Sequence, residues 1–441
     1  MKIFHSKIQG TSMDGSEINS VNNLPSAEIL ECPKCGSDLR LTGFLLTKNI
    51  ACGKCHSLFA YANGNLKVIK IFKKEKKKHN HIPIGTKGTI DGRKFEVVGF
   101  ANYREANTPY AWDEYTLFNP IHGFTFLSVY EGHWNYFEQT ILRPRPQGGD
   151  VNLNGDSYRI FNRYKQKTDY ALGEFPWDIS ENPSTITEYI NPPHILAHDK
   201  DTNEETWFLG RYITPKEIKE AFNLQSHFPE QTGIGSTQLH SSAASLSKVK
   251  QITLYVVLSM LVLQIILSIS ARDKIVFKDQ FNIPGNQAGG IVSPPFELEN
   301  TLFGKSNLQV ELIAPVHNSW MEADITLIND KTGEEFHFEQ GVEYYSGYEG
   351  GEAWSEGQNY TDNTLSSIPA GKYHLNIFPA TPPDGGPGYF QLKLTQDVSM
   401  LSNFFITLLI ALIFPIALWI SISSFEAQRW MNSDFSPYSY E

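Results

Sequence analysis

The chain has 441 residues, a formal net charge of −11 and a mean hydropathy of −0.30. That length holds two or three domains, the hydropathy keeps most of the mass in water, and the acidity sets the chain against nucleic acid as a partner. The charge is uneven: residues 275–402 carry 17 Asp and Glu against 5 Lys and Arg, whereas the first 249 residues are close to neutral.

Residues 1–30 are polar and aperiodic and are expected to be a flexible tail. In residues 31–72 all four cysteines fall in two CxxC pairs, Cys32-Pro33-Lys34-Cys35 and Cys52-Gly53-Lys54-Cys55, with 16 residues between them. This is zinc-ribbon spacing, because each short turn, here helped by Gly36 and Gly53, directs two thiolates toward one tetrahedral Zn2+ at about 2.3 Å. Two disulfides are the alternative, and they require an exported domain for which no leader is expected. Such a zinc site is structural and closed, and His56 beside it is expected to be a bystander. The run Lys73-Lys74-Glu75-Lys76-Lys77-Lys78 suits either an anionic lipid surface or a solvated linker.

From Ile82 the pattern changes to short strands separated by glycine. Asp91-Gly92 leads into Lys94–Phe100, and Trp112–Phe118 and Gly123–Val129 alternate as strands do. Leu153-Asn154-Gly155-Asp156 repeats that hairpin after a proline-broken linker, so residues 82–142 and 151–223 are expected to be two duplicated β units. Thr214-Pro215-Lys216-Glu217 combines an N-cap, a proline at the first helical position and a capping-box glutamate, predicting a short helix to about Phe222. Residues 226–250 form a linker rich in Ser, Gly and Gln.

Residues 252–270 and 404–423 are apolar runs without an ionisable side chain, each long enough for the ~30 Å hydrocarbon layer. Buried core helices are the alternative, and these normally carry a polar stripe. Lys248 and Lys250 precede the first run while Arg272, Lys274 and Lys278 follow it, so the basic flanks do not orient it. The region before the first run shows no export signal, so it and the tail 424–441 are expected in the cytosol and residues 275–402 outside. Alternation in Gln309–Leu312 and Asp324–Leu327, with a turn and strand over Ser367–Ile377, leads to the expectation that this outer region is a β-sandwich. The fold class is thus mainly β: a zinc ribbon, a cytosolic β domain, two transmembrane helices and an extracytoplasmic sandwich.

Three sets of residues invite chemistry. Glu343, Tyr344, Tyr345, Glu352, Trp354 and Glu356 combine carboxylates with aromatic faces on a glycine-rich stretch, a set suited to an organic cation such as a polyamine. A calcium loop and a plain packed hairpin are the alternatives. His122, Glu131 and His133 suggest metal binding or proton transfer, although structural or surface histidines are commoner. No phosphate loop, nucleophile elbow, HExxH helix or kinase signature is present, so an enzyme of a familiar class is not expected.

Trp112-Asp113-Glu114-Tyr115, Gly173-Glu174-Phe175-Pro176-Trp177, Tyr189–Leu196 with Pro192-Pro193, Glu343-Tyr344-Tyr345 and Gly350–Gly357 together resemble the bacterial family with domain of unknown function 4178. The resemblance implies a β-rich protein with a zinc ribbon, in some members with two membrane spans. It also implies proximity to aminopropyltransferase-like and membrane-stress proteins, and so a role in envelope stress or linked to polyamines. It supplies no catalytic residue but marks Glu174, Trp177, Pro192 and Pro193. The expected function is a two-pass scaffold or sensor of the bacterial inner membrane with protein partners in membrane and cytosol. The alternative is a membrane-bound enzyme of unfamiliar class acting with an aminopropyltransferase-like partner, marked by a pocket that gathers Glu174, His194 or Glu131.

Overall fold

The computed structural model describes residues 27–43, 46–73, 81–180, 184–200, 205–225, 227–283, 289–301 and 304–438. The expected tail therefore lies outside the described residues up to 26, as do residues 74–78 of the lysine run. The chain forms two compact units, Met1–Leu246 with Leu418–Glu441, and Ser247–Ala417.

The first unit opens with five short strands, β1 (Glu28–Glu31), β2 (Asp38–Leu41), β3 (Asn49–Ala51), β4 (Ser57–Ala62) and β5 (Asn65–Ile71). β1 thus begins inside the stretch expected as tail; it pairs antiparallel with β2, and the Tyr61 hydroxyl donates to Glu28. Next come β6 (Lys87–Ile90), β7 (Arg93–Glu105), β8 (Ala111–Asn119), β9 (Gly123–Tyr130) and β10 (His133–Thr140). After a small hairpin of β11 (Arg145–Gln147) and β12 (Asp150–Leu153) follow β13 (Asp156–Phe175), β14 (Thr185–Asn191), β15 (His194–Lys200) and β16 (Glu205–Ile213). The same order occurs twice: a tight hairpin, over Asp91-Gly92 or Asn154-Gly155, then a four-strand meander.

The two meanders are not separate bodies. β10 pairs with β16 and β13 pairs with β7, so eight antiparallel strands close into one barrel. The 20-residue β13 makes closure possible because its two halves find different neighbours, β14 along residues 159–165 and β7 along residues 166–173. Its last residues, Gly173–Phe175, also pair with β3 and join the cysteine-bearing strands to the barrel sheet. Glycine is required at this junction: Gly173 has φ +82, and a Cβ there would collide with the Val98 carbonyl oxygen.

Alternation along β9 divides inside from outside. Phe124 and Phe126 face an interior cluster with Phe137, Phe161 and Ile195, while Leu127 and Val129 face an outer cluster with Phe95, Tyr115 and Trp134. Helix α1 (Pro215–Phe222) covers that outer face with Ile218 and Phe222. Its start carries the expected capping box, in which Thr214 Oγ1 accepts from Glu217 N and Glu217 accepts from Thr214 N.

The second unit has two antiparallel sheets over one apolar core. One is formed by β17 (Lys274–Asn282), β26 (Tyr389–Gln396), β20 (Lys305–Ile313) and β24 (Tyr360–Pro369). The other contains β18 (Ile291–Val292), β19 (Phe296–Leu298), β21 (Ser319–Asn329), β22 (Glu335–Glu349), β23 (Glu352–Gln358) and β25 (Gly371–Ala380). Alternate residues such as Leu308, Val310 and Leu312 of the first sheet meet Ala323, Ile325 and Leu327 of the second.

Two helices, α2 (Ala243–Ser270) and α3 (Ser402–Trp430), are long and apolar enough to cross a membrane. Both run past the apolar segments, and α2 takes in the end of the stretch expected as linker. No residue of α2 is buried, and α3 buries only Arg429 and Trp430. That exposure is unlike a buried core helix and, with the length and apolarity of the two helices, suggests membrane insertion.

Candidate functional site

The four cysteines converge. Cys32 Sγ lies 3.7 Å from Cys55 Sγ, Cys35 Sγ lies 3.7 Å from Cys52 Sγ, and all four sulfurs lie within 4.8 Å of one another. A tetrahedron with bonds of about 2.3 Å has edges of about 3.8 Å, so the thiols already stand at metal-ligand spacing. A disulfide needs about 2.05 Å, and all four cysteines are free. The two turns are built alike: Cys32 N donates to Ser37 O and Gly36 N to Cys32 O, and likewise Cys52 N to Ser57 O and His56 N to Cys52 O. The left-handed position is taken by Gly36 in the first turn and His56 in the second, so Gly53 is not the conformationally required residue. The His56 ring turns away to the Tyr170 hydroxyl, 3.2 Å from Nδ1. Hydrogen bonds from Ser37 hold the Cys35 thiol down to about 6, whereas burial pushes the Cys32 thiol up to about 12, so without a cation the four thiols do not all ionise together. The cluster is compatible with a metal site.

Glu174 buttresses this cluster. Its carboxyl, almost fully buried, accepts from Thr42 N at 2.6 Å, Gly43 N at 2.9 Å and Thr47 Oγ1 at 3.0 Å. Burial raises its pKa against those donors. The residue is therefore a structural tie between β13 and the loop after β2. Trp177 packs on Phe126 with ring centroids 4.4 Å apart, and Pro192-Pro193 forms the β14–β15 turn.

Within the barrel lies a cavity of about 320 Å³. Its walls include Trp112, Tyr164 and Glu188 from the strands, and Met431 and Asp434 from the segment after α3. Tyr164 donates to Glu188 Oε1 at 3.0 Å, and its ring meets Trp112 edge-on at 5.2 Å. Desolvation raises Glu188 to about 7 and, with the nearby Asp199 charge, raises Glu114 to about 8. Glu188 lines the cavity, whereas Glu114 lies on the same inward face of β8 as Trp112 without lining it.

Of the sequence-selected trio, Glu131 and His133 line the cavity while His122 sits at the β8–β9 turn. His133 is held below its ordinary pKa by burial, with Nδ1 3.1 Å from the Tyr212 hydroxyl and Nε2 3.2 Å from Thr232 O. Neither Glu174 nor His194 lines it.

The end of α3 is built into the first unit. Arg429, 1% exposed, donates to Gly235 O, Ser236 O and Gln238 O at 2.9, 2.8 and 2.6 Å and pairs with Glu426. Trp430 packs against Phe161 with tilted rings, centroids 5.3 Å apart, and Ser433 Oγ donates to Phe161 O. Nothing local marked Arg429 or the interior acids as special, because their partners lie far away in sequence.

In the second unit, Glu343, Tyr344 and Tyr345 lie on β22, and Glu352, Trp354 and Glu356 on β23. Register pairs Tyr345 with Glu356 and Gly347 with Trp354, so five of the six residues share one open face; Tyr344 points oppositely and packs on the core. Trp354 covers Gly347, where a Cβ would come within 2.8 Å of its ring.

Residues 83–215 match the family model described as "Domain of unknown function (DUF4178)". The DUF4178 segment begins just before β6 and ends just after β16, so it contains the whole barrel and supports the DUF4178 family for that part of the chain. The cysteine cluster, both long helices and the second unit lie outside it. No curated protein matches the chain. Among solved structures, dimeric latent PorU from Porphyromonas gingivalis is 10% identical, with 68% of this chain and 24% of that chain covered and a TM-score of 0.15. This chain thus spans about a quarter of PorU. Infectious bursal disease virus Gx strain is also 10% identical, covering 79% of this chain and 68% of that chain at a TM-score of 0.14. Likeness at that level carries no argument about fold or function.

Proposed function

We propose that this chain is a two-pass protein of the bacterial inner membrane that acts as a scaffold or sensor. A zinc ribbon and the DUF4178 barrel stand in the cytosol with both termini, and an acidic β-sandwich stands outside. The four thiolates hold one Zn2+ as a closed structural ion, which fastens the short strands beside their small apolar cluster of Leu39, Leu41, Ile50 and Phe59. The open Tyr345–Trp354 face offers an external organic cation, such as a polyamine, a place to dock. Protein partners in the membrane and cytosol, and a role in envelope stress, belong to the same proposal.

One observation carries it: the last turn of α3 is locked into the barrel body through Arg429 and Trp430. A span that merely tethers a domain needs a solvated linker, whereas a span that conveys or bears load needs a rigid joint. Any shift of α3 must move the Gly235–Gln238 loop with it.

Hydrogen exchange on the full chain in lipid nanodiscs tests the joint. Amides of residues 430–438 should exchange as slowly as barrel strands, and Arg429→Ala should speed exchange there and at residues 234–238 while β7 and β13 stay protected. Fast exchange of residues 430–438 in the unaltered protein would remove the coupling and the sensor with it.

A further inference from the structure

We propose that the barrel cavity is a binding site for a small organic ammonium ion, seated between the Glu105 and Glu188 carboxyls and the aromatic wall of Trp112 and Tyr164. The proposal gives the sensor an internal ligand, but it rests on the barrel alone and does not need the membrane arrangement.

Charge comes first. The cavity is lined by Glu105, Glu131, Glu188 and Asp434 and by no Lys or Arg. Its one imidazole, His133, is occupied by Tyr212 and Thr232. Arg429, the buried cation behind Gly235 and Ser236, is engaged by carbonyls and by Glu426, so the lining carboxyls favour a cation over an anion.

Unmet hydrogen bonding is the second sign. Glu188, which lines the cavity, accepts only from Tyr164 and on one oxygen, leaving the other for a ligand. Buried polar groups are normally paired, and an N–H-bearing cation would supply the donor that this oxygen lacks.

Shape agrees. The Trp112 ring stands 5.9 Å from Tyr103 and 5.2 Å from Tyr164, an aromatic corner of the kind that holds ammonium groups. About 320 Å³ admits a small molecule.

The test is isothermal titration of the full-length, zinc-loaded chain in nanodiscs with 1,5-diaminopentane, using 1-pentanol and pentanoate as neutral and anionic controls. The diamine should bind at one saturable site that neither control occupies. Glu105→Gln and Glu188→Gln should each weaken it by roughly tenfold or more, the scale of a lost charge-assisted hydrogen bond. Glu220→Gln, an exposed acid on α1, should leave it unchanged. Absence of saturable heat, equal binding of 1-pentanol, or unaltered binding in the Glu105→Gln/Glu188→Gln double variant would overturn the proposal. Thermal unfolding of each variant separates lost binding from lost folding, and failure here leaves the exchange behaviour of α3 untouched.

Discussion

The two interior acids should make the barrel less stable as pH rises, opposite to the usual behaviour of paired carboxylates. Desolvation lifts Glu188 from 4.5 to about 7 and Glu114 from 4.5 to about 8. Between those limits the folded chain binds more protons than the unfolded chain, so the stability these groups contribute is full below about pH 4.5 and is lost as pH climbs through 7 and 8. At about 1.4 kcal/mol per pKa unit the loss reaches about 3 kcal/mol for Glu188 and about 5 kcal/mol for Glu114. Both are upper limits, because water in the cavity screens the charges. Glutamine keeps the shape and cannot ionise. In denaturant titrations of the full chain followed by tryptophan fluorescence, Glu114→Gln and Glu188→Gln should match the unaltered protein near pH 5 and exceed it at pH 8.5. The groups facing these acids, Asp199, Tyr103, Tyr164 and Glu105, are common to both proteins, as is the opposite contribution of His133 at lower pH. Equal stability at pH 8.5, or a loss there, would show that the carboxyls are not held in an enclosed interior.

Three further expectations follow from the packing. Purified chain should carry one Zn2+ by atomic absorption, released when thiols are titrated; Cys32→Ser or Cys52→Ser should abolish stoichiometric metal, and full occupancy in those variants would refute the four-thiolate site. Glu174→Ala strands the Thr42 and Gly43 backbone donors, while the Thr47 hydroxyl keeps the Gly43 carbonyl, so it should cost about 2 kcal/mol or more in denaturant unfolding; a change within half a kcal/mol would deny the tie. Gly173→Ala meets the Val98 carbonyl in a left-handed conformation, so it should lower stability by at least about 1 kcal/mol, and a neutral result would show that the β7–β13 crossing is looser than described.

Much of the local structure was legible because its causes are local. The CxxC pairs, the Asp91-Gly92 and Asn154-Gly155 turns, the Thr214 cap and the two apolar runs each declare themselves within a few residues. Closure of the barrel does not, since it depends on Gly173 meeting Gly99 across strands far apart in sequence. The interior acids escaped for a related reason: a carboxylate at alternate positions of a strand, such as Glu114 in Trp112-Asp113-Glu114-Tyr115, normally faces water. Only a closed barrel with a cavity turns such a face inward. The aromatic and acidic residues around Trp354 attracted attention as a cluster, and register does bring five of six to one face. That face is open, whereas the barrel cavity brings Trp112, Glu131 and His133, which sequence singled out, together with Glu105, Tyr164 and Glu188, which it did not. Arg429 reads as an ordinary basic flank of a span until the carbonyls of Gly235, Ser236 and Gln238 are brought to it.

The central claim is that α2 and α3 span a bilayer and leave the barrel unit on the cytosolic side, with residues 275–402 opposite. Protease protection on sealed inside-out vesicles tests it most directly, with antibodies against a tag at the C-terminus and against the 275–402 region. The account predicts that protease removes the tag and the barrel while 275–402 survives until detergent is added. Digestion of both without detergent, or survival of the barrel and loss of 275–402, would contradict it.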